Sequence, residues 1–238
     1  MTKLHHFSHA DAIWVAHPEL AAIAIQVDGI SADAAGPVEA IAALYDRARM
    51  RLAAQAEGEF PEIQAWRRAF SRMGLKPTQY RCAAESLLRR FRKEGELPAL
   101  HPLVDACNAV SLAFAIPIAV FDLAQVAGSL QVRPAVGDER YLSFGAELEQ
   151  PDAGEVIFAD EHGHAHARRW CHRQSARSAI QPGTRHVLVV AEAMHSSAAA
   201  DLARLQATLE GLLGTLGAKV LASARLERAL PRVDLIAG

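Results

Sequence analysis

The chain changes its secondary-structure pattern at Pro117, and this change limits the folds that it can adopt. Before Pro117 the sequence predicts four helices, whereas after it short runs rich in β-branched and aromatic residues alternate with Gly, Pro and Asp. A helix returns over residues 197–216, and a last strand is predicted at 218–226. Helices grouped apart from strands are typical of an α+β fold with a mixed β-sheet and flanking helices.

The ends of the predicted helices are marked by proline in the first turn, glycine after the last turn and, once, a threonine cap. Ahead of them, residues 11–30 predict two short strands around a turn at His17-Pro18-Glu19. The helices are predicted over residues 37–56, 61–73, 79–93 and 103–116, with Thr78 as the cap of the third. The strands predicted after Pro117 are IAVFDL, SLQVRPAV, RYLSFG, EVIFAD, HAHARRW and HVLVVAEA.

The composition indicates one globular domain, which we expect to span residues 1–238 with its core over about 60–195. With 238 residues, 51% of them apolar, the chain can bury a sizeable core without disulfides. Its three cysteines form no CxxC pair, and reduced thiols favour a cytoplasmic location. The first residues lack the apolar stretch of a signal peptide, and no apolar run is long enough to predict a membrane span.

Charge is segregated along the chain although the net charge is only −2. Residues 61–93 contain nine basic and two acidic side chains, and residues 165–190 contain five arginines and no acid. Such blocks can form basic faces that bind nucleic acid, and they are also common on ordinary solvated helix surfaces.

Several short strings between about residues 60 and 195 occur in a characteristic order. The most specific are Val104-Asp105-Ala106-Cys107-Asn108 and, after a Pro-Ile turn, Phe121-Asp122-Leu123. In this order and spacing the strings resemble the B3/B4 domain family, a module of phenylalanyl-tRNA synthetase beta subunits. The remaining strings are GLKPTQYR, AESLLRR, GEVIFAD, WCHR, a strand carrying Val132-Arg133, and Thr184 ahead of HVLVV.

The resemblance implies a mixed sheet with flanking helices around a pocket that, in the synthetase, hydrolyses a noncognate amino acid from the 3′ end of tRNA. This chain has no room for the synthetase's other domains, so such an activity would act in trans. The sequence departs from the family's pattern at Ala119, where the synthetase has a His just ahead of Phe-Asp, and over residues 166–173, which replace a glycine-rich turn. The pocket lining therefore differs, and specificity for an aromatic amino acid is not carried over.

Hydrolysis of an aminoacyl ester needs a positioned water, donors for the developing oxyanion and a grip on the terminal adenosine, without metal or cofactor. Arg81 and Glu85 are four residues apart in the predicted third helix and share a face. We interpret Arg81 as a ligand of phosphate or the ester carbonyl, and Glu85 as a ligand of the substrate ammonium. The alternative is an ordinary surface ion pair.

Two further groups are candidates for the site. Asn108 and Ser111 lie three residues apart in a helix that is otherwise apolar, with Asp105 one turn earlier, so they could line a pocket or bond to neighbouring backbone. Trp170, His172 and Arg173 combine an aromatic ring that could stack on an unpaired base, a side chain suited to proton transfer near neutral pH and a phosphate ligand.

The alternation His162-Gly163-His164-Ala165-His166 is not interpreted as a metal site, because no carboxylate completes a familiar ligand spacing. Asp160 ahead of it is interpreted as a turn or cap residue. The cysteines are interpreted as small core residues, Cys107 above all.

We therefore expect hydrolysis of mischarged aminoacyl-tRNA, bound at its 3′ acceptor end, by a protein with no membrane or DNA partner. The alternatives are a non-catalytic tRNA-acceptor or protein-binding module of the same fold, and a small-molecule enzyme or binder. The expected catalytic residues are Asn108, His172 and Glu85, and the expected substrate- and RNA-binding residues are Arg81, Ser111, Arg133, Trp170 and Arg173.

Overall fold

The switch from helices to strands after Pro117 is present in the computed structural model, which describes residues 5–236. The helices are α1 (Asp11–Ala16), α2 (Val38–Ala54), α3 (Pro61–Arg72), α4 (Ala83–Glu94), α5 (Pro102–Phe114) and α6 (Ala198–Thr215). The strands are β1 (His6–His9), β2 (Ala21–Asp28), β3 (Ile118–Asp122), β4 (Leu130–Pro134), β5 (Arg140–Leu142), β6 (Leu148–Glu149), β7 (Val156–Asp160), β8 (His164–Arg168), β9 (Arg173–Gln174), β10 (His186–Ala193), β11 (Lys219–Leu226) and β12 (Arg232–Asp234).

The strands form two sheets. The smaller sheet has the order β11-β2-β10-β3 and is antiparallel throughout. The larger sheet has the order β12-β1-β4-β7-β8-β5-β6, with β9 paired to β8, and it is mixed because β1 with β4 and β5 with β8 run parallel. The prediction of an α+β fold with a mixed sheet and flanking helices is therefore confirmed.

The central strands of the smaller sheet, β2 and β10, are buried on both faces. On one face Ile23, Ile25 and Val189 pack with apolar side chains of α5 and α6. On the other face Leu188 and Val190 pack in a second cluster, which contains side chains of α3 and α4 and of the larger sheet. A strand buried on both faces favours apolar residues at most positions, which explains the apolar run over residues 187–191 of β10.

Edge strand β3 borders the region between the two clusters. Its residues alternate between the faces, as strand geometry requires: Ile118 and Val120 belong with the α5 and α6 cluster, and Ala119 and Phe121 belong with the other. The Phe-Asp-Leu string continues from this strand, where Asp122 accepts hydrogen bonds from the Thr184 hydroxyl at 2.7 Å and from a backbone N–H at 3.0 Å.

The prediction of a strand near residue 11 is wrong, because residues 11–16 form helix α1. The buried residues here are Ile13, Trp14 and His17, with Val15 exposed, so burial follows a helical period rather than strict alternation. The strand predicted next is confirmed as β2, and the predicted helices that correspond to α2, α3, α5 and α6 are confirmed within a few residues.

Two predicted boundaries in the region of the site are also wrong. Helix α4 begins after Cys82, whose Sγ accepts the Glu85 N–H, rather than after Thr78, because the His172 ring bonds the backbone of Arg81 and holds it outside the helix. The strand predicted through Trp170 ends at Arg168, since Arg169 and Trp170 adopt left-handed φ values of 46° and 57°.

Candidate functional site

A large pocket lies on the α5 side of strand β3. Its volume is about 370 Å³, its walls are mostly aliphatic, and Leu100 and Phe144 are exposed at 68% and 71%. An apolar cavity with a few polar groups is typical of a small-molecule or cofactor site. The large pocket is lined by Ala32, Leu100, His101, Val104, Cys107, Asn108, Ile118, Val120, Phe144, Gln174, Ala179, Ile180, Gln181 and Pro182.

Two polar side chains of the large pocket are available to a ligand. Asn108 is half-buried, and its amide has no hydrogen-bond partner among residues 5–236. His101 caps α5 by accepting the Leu103 N–H on Nδ1 at 3.2 Å, which places the ring proton on Nε2, a buried atom without a partner. Burial lowers the pKa of His101, so the ring is neutral at neutral pH and Nε2 is a hydrogen-bond donor.

A small pocket lies on the other side of β3, with a volume of about 60 Å³. Its wall includes Ala119, the position where the family's pattern has a histidine. His172 and Glu192 also line this pocket. The small pocket is lined by Ala83, Pro117, Ile118, Ala119, Phe158, Ala167, Trp170, Cys171, His172, Arg173, Gln174, Val190 and Glu192.

His172 is held in one tautomer by the backbone of Arg81. Its Nδ1 lies 2.8 Å from the Arg81 carbonyl oxygen and 3.3 Å from the Arg81 nitrogen, and the shorter contact places the ring proton on Nδ1. Nε2 therefore carries a lone pair, and it has no hydrogen-bond partner among the described residues. Burial lowers the pKa of His172, and the charges of Arg169, Arg173 and Arg81 lower it further, so the ring is neutral and basic at neutral pH.

Glu192 is a buried carboxylate at the wall of the small pocket, with 3% of its surface exposed. The His9 Nε2 lies 2.7 Å from its Oε1, and the Trp170 indole N–H lies 3.0 Å from both oxygens. Sequence reasoning missed Glu192, because a single glutamate in an apolar strand carries no motif.

The two pockets share two wall residues, Ile118 and Gln174. The Gln174 side-chain amide donates to the Val120 carbonyl at 2.6 Å and thereby fixes strand β9 against the edge of β3. The two pockets are therefore neighbours on opposite sides of β3, with Ile118 and Gln174 in the wall between them.

Arg81 and Glu85 are close together but line neither pocket. Glu85 is fully buried and receives two hydrogen bonds from Arg67, at 2.6 and 3.2 Å, while the Arg81 Nε lies 3.5 Å away. The ion pair is therefore structural rather than exposed, and the interpretation of Glu85 as a ligand of the substrate ammonium has no geometric support. The contact of Arg81 with the site is through its backbone, at His172.

Ser111 and Arg133 also lie outside both pockets. The Ser111 hydroxyl donates to the Ile116 carbonyl at 2.7 Å at the end of α5, and Asp105 one turn earlier accepts the Leu100 N–H at 3.0 Å. Arg133 pairs with Glu139 at 2.5 Å. These polar groups bond to neighbouring chain segments, which was the structural alternative for Ser111 and Asp105.

Trp170 lies at the small pocket but is 0% exposed, with its ring edge-on to those of Trp66 and His17. Its ring is therefore not available to stack on a base. Tyr80 and Arg169 form a partly exposed stack instead, with the guanidinium 4.7 Å from the ring centroid, and Tyr80 also lies edge-on to His172 at 5.3 Å. The sequence interpretation overlooked this stack because its residues are far apart in the chain.

Arg173 lines the small pocket with 40% of its side chain exposed, paired with Glu149 at 3.2 Å. An open basic groove lies on the α3 side, lined by Glu19, Gln64, Arg67, Arg68, Ser71, Arg72 and Pro77. Within the described part of the chain, Arg68 in this groove has no acidic partner. Part of the predicted basic block of residues 61–93 thus forms a continuous surface.

His164 and His166 of strand β8 form a buried network with Asp160. Asp160 accepts from the Nδ1 of His164 at 2.9 Å and lies 3.2 Å from the Nε2 of His166, and the other nitrogen of His166 bonds to Ser178. Burial opposes ionisation of Asp160, but the hydrogen bonds from both histidines outweigh it and hold its pKa far below the ordinary value. Over residues 5–236, no group of three His, Cys, Asp or Glu side chains has the geometry of a metal site.

The three cysteines are free, and burial raises the pKa of Cys82 and of Cys107 to about 12. Burial also raises the pKa of Cys171 well above its ordinary value. The three thiols are therefore protonated at neutral pH and are poor nucleophiles.

Comparison with known proteins identifies the family. Residues 65–210, more than half of the chain, match the B3/4 domain family, and the chain belongs to that family. The phenylalanine–tRNA ligase beta subunit of Legionella pneumophila (strain Paris) is 36% identical over 74 residues, which are 31% of this chain and 8% of that subunit.

A solved structure shows the same fold. An N-terminal fragment of the phenylalanyl-tRNA synthetase beta-subunit from Pyrococcus horikoshii aligns with a TM-score of 0.50 and 10% identity, over 90% of this chain and 49% of that fragment. The chain thus spans less than half the length of either relative. In residues 5–236, no helix has the length and apolar character needed to cross a membrane.

Proposed function

We propose that this protein hydrolyses mischarged aminoacyl-tRNA in trans, with the acylated 3′ terminus placed around the edge of strand β3. The observation that carries the proposal is that two unlike pockets share Ile118 and Gln174 as wall residues, one pocket large and apolar, the other small with a neutral histidine. The two parts of such a substrate match this contrast, because the terminal adenosine is large and aromatic and the aminoacyl group is small and carries the reactive ester. Membership of the B3/4 domain family supports this class of substrate.

The large pocket fits the terminal adenosine. Its aliphatic walls and Phe144 provide surfaces for the faces of a purine, and the buried His101 N–H needs an acceptor such as a ring nitrogen. The Asn108 amide, which has no partner in the described chain, can bond the polar edge of the base. A bound adenosine would thus satisfy a buried donor that the protein leaves unpaired.

His172 is positioned to act as the general base. Its Nε2 lone pair removes a proton from a water, and the resulting hydroxide attacks the ester carbonyl carbon. The tetrahedral intermediate then expels the ribose oxygen, which takes the proton back from His172, to give the free amino acid and uncharged tRNA. Because His172 lines the pocket that contains Ala119, it can supply the imidazole that the family's pattern places on β3.

The phosphates and the penultimate bases lie outside the pockets in this arrangement. Arg173 at the small pocket and Arg68 in the basic groove are partly exposed cations, and the Tyr80–Arg169 stack offers a ring face near His172.

The direct test is release of the amino acid from a panel of charged tRNAs. We expect hydrolysis by the wild type and its loss in His172→Ala. A second function, binding of the acceptor end without hydrolysis, is favoured by Ala119, because the family's histidine is missing there. Salt-dependent tRNA binding with no release from any charged tRNA would support that alternative and refute the hydrolase.

A further inference from the structure

Glu192 has acceptor capacity that the protein does not use. Its Oε1 is hydrogen-bonded to His9 and to the Trp170 indole N–H, whereas its Oε2 accepts a hydrogen bond only from that indole N–H. A carboxylate can accept about four hydrogen bonds. Among residues 5–236, no lysine or arginine lies within ion-pair distance of Glu192.

The position of this carboxylate indicates what it binds. It lines the same small pocket as His172, whose Nε2 we assign to the ester-cleaving water. An aminoacyl ester carries an ammonium one carbon from the carbonyl that is attacked, and no other group at the tRNA terminus is cationic. A buried carboxylate with free lone pairs is the natural partner of that ammonium.

The dimensions of the small pocket limit the side chain that can accompany the ammonium. Its volume of about 60 Å³ holds only a few water-sized groups. Phe158 and Trp170 form parts of its wall, are at most 1% exposed and are packed against other rings, so they do not yield to a larger side chain. The large pocket offers no alternative place when adenosine occupies it.

We propose that the small pocket selects amino acids with small side chains, of the size of glycine, alanine or serine, and that Glu192 binds their α-ammonium. This inference rests on the function proposed above and adds the substrate class. The wild type should hydrolyse alanyl-tRNA at least about tenfold faster than phenylalanyl-tRNA, because each excluded methylene is itself worth about tenfold or more.

The ammonium contact has its own test in alanyl-tRNA and lactyl-tRNA, in which a hydroxyl of similar size replaces the ammonium. The wild type should favour the free amine by roughly tenfold to a hundredfold, the range for a hydrogen bond between charged groups. In Glu192→Gln, which retains the size and one oxygen of the side chain, the ratio between the two substrates should fall toward one. A ratio is unaffected by a partial loss of folded protein.

Two matched substitutions separate the pockets. Ala119→Leu should fill the small pocket and abolish hydrolysis of alanyl-tRNA while uncharged tRNA still binds. Ala179→Leu, which narrows the large pocket, should weaken binding of charged and uncharged tRNA alike. Thermal unfolding of both variants identifies any that fail to fold.

The outcomes distinguish this inference from the proposed function. Hydrolysis of phenylalanyl-tRNA as fast as alanyl-tRNA would overturn the assignment of small amino acids, and an unchanged amine preference in Glu192→Gln would overturn the ammonium contact of Glu192. Either result would leave the hydrolase intact. Absence of hydrolysis with every charged tRNA would overturn both.

Discussion

The large and the small pocket lie on opposite sides of one strand, but they differ in whether their polar side chains have hydrogen-bond partners within the protein. In the large pocket the Asn108 amide and the His101 N–H are uncharged and unpaired. In the small pocket Glu192 is held by two donors, and His172 is oriented by the Arg81 carbonyl. Under the function proposed above, the first would be the binding pocket and the second the reaction pocket.

The physical basis of this division is the cost of burial. Burying an amide or ring N–H without a partner destabilises the protein by roughly 1–3 kcal/mol, and a ligand that bonds to the group offsets this penalty. An unpaired buried carboxylate costs far more, so it needs permanent partners whether or not a ligand is present. Groups that do chemistry must also hold one tautomer and one orientation, which the fixed contacts of His172 provide.

The largest expected effect is that of His172→Ala, which should reduce hydrolysis by about 10²–10⁴-fold, the usual contribution of a general base. Binding of uncharged tRNA should change little, because we place the adenosine in the other pocket. Single-turnover deacylation and equilibrium binding measure the two effects separately. His162→Ala, at the exposed tip of the β7–β8 hairpin, is the control, and equal losses in both variants would contradict the assignment.

Glu85→Ala should affect stability rather than either pocket. Removing one partner of a buried ion pair costs about 3–5 kcal/mol, and we expect the low end because Arg67 is 32% exposed. Urea unfolding measures this loss, with the exposed Arg90–Glu94 pair as the comparison, where Glu94→Ala should change stability by less than about 1 kcal/mol. Preserved stability together with lost hydrolysis would restore the catalytic interpretation of Glu85.

The pH dependence of hydrolysis should follow the protonation of His172 in the small pocket. His172 must be neutral to accept a proton, and burial lowers its pKa, so hydrolysis should be constant near neutral pH. Below the lowered pKa the rate should fall about tenfold per pH unit as the ring becomes protonated. Rates between pH 4.5 and 8 test this, and a fall that begins above the ordinary histidine value near 6.5 would refute it.

The smallest expected effect is that of Asn108→Ala. This substitution removes the one uncharged hydrogen bond that we propose between the Asn108 amide and the bound base. Affinity for tRNA should decrease about fivefold, as expected for roughly 1 kcal/mol, with an unchanged rate of hydrolysis at saturation. Ser111→Ala on the same helix is the control, since its hydroxyl bonds the Ile116 carbonyl, and it should lower stability without affecting affinity. A reduced rate at saturation in Asn108→Ala would place Asn108 in the reaction instead.

The sequence predicted elements well where local signals and burial agree. Helix α3 begins at Pro61 and strand β10 contains the apolar run 187–191, and both signals come from neighbouring residues. Prediction failed at Arg81 and at Arg169–Trp170, where contacts from distant segments determine the backbone. The predicted helix start at Thr78 is overridden by His172, which lies 91 positions from Arg81.

The same distinction applies to the site. The sequence alone determined the α+β class, the family to which the chain belongs and the presence of Asn108 and His172 in its motifs, because these depend on local pattern and order. Only the tertiary structure decided that Trp170 is buried, that Glu85 is paired with Arg67, and that Glu192 lines a pocket with His172. Burial and pairing depend on which distant segments meet, and the free energy of a buried charge is determined by those neighbours rather than by the residue itself.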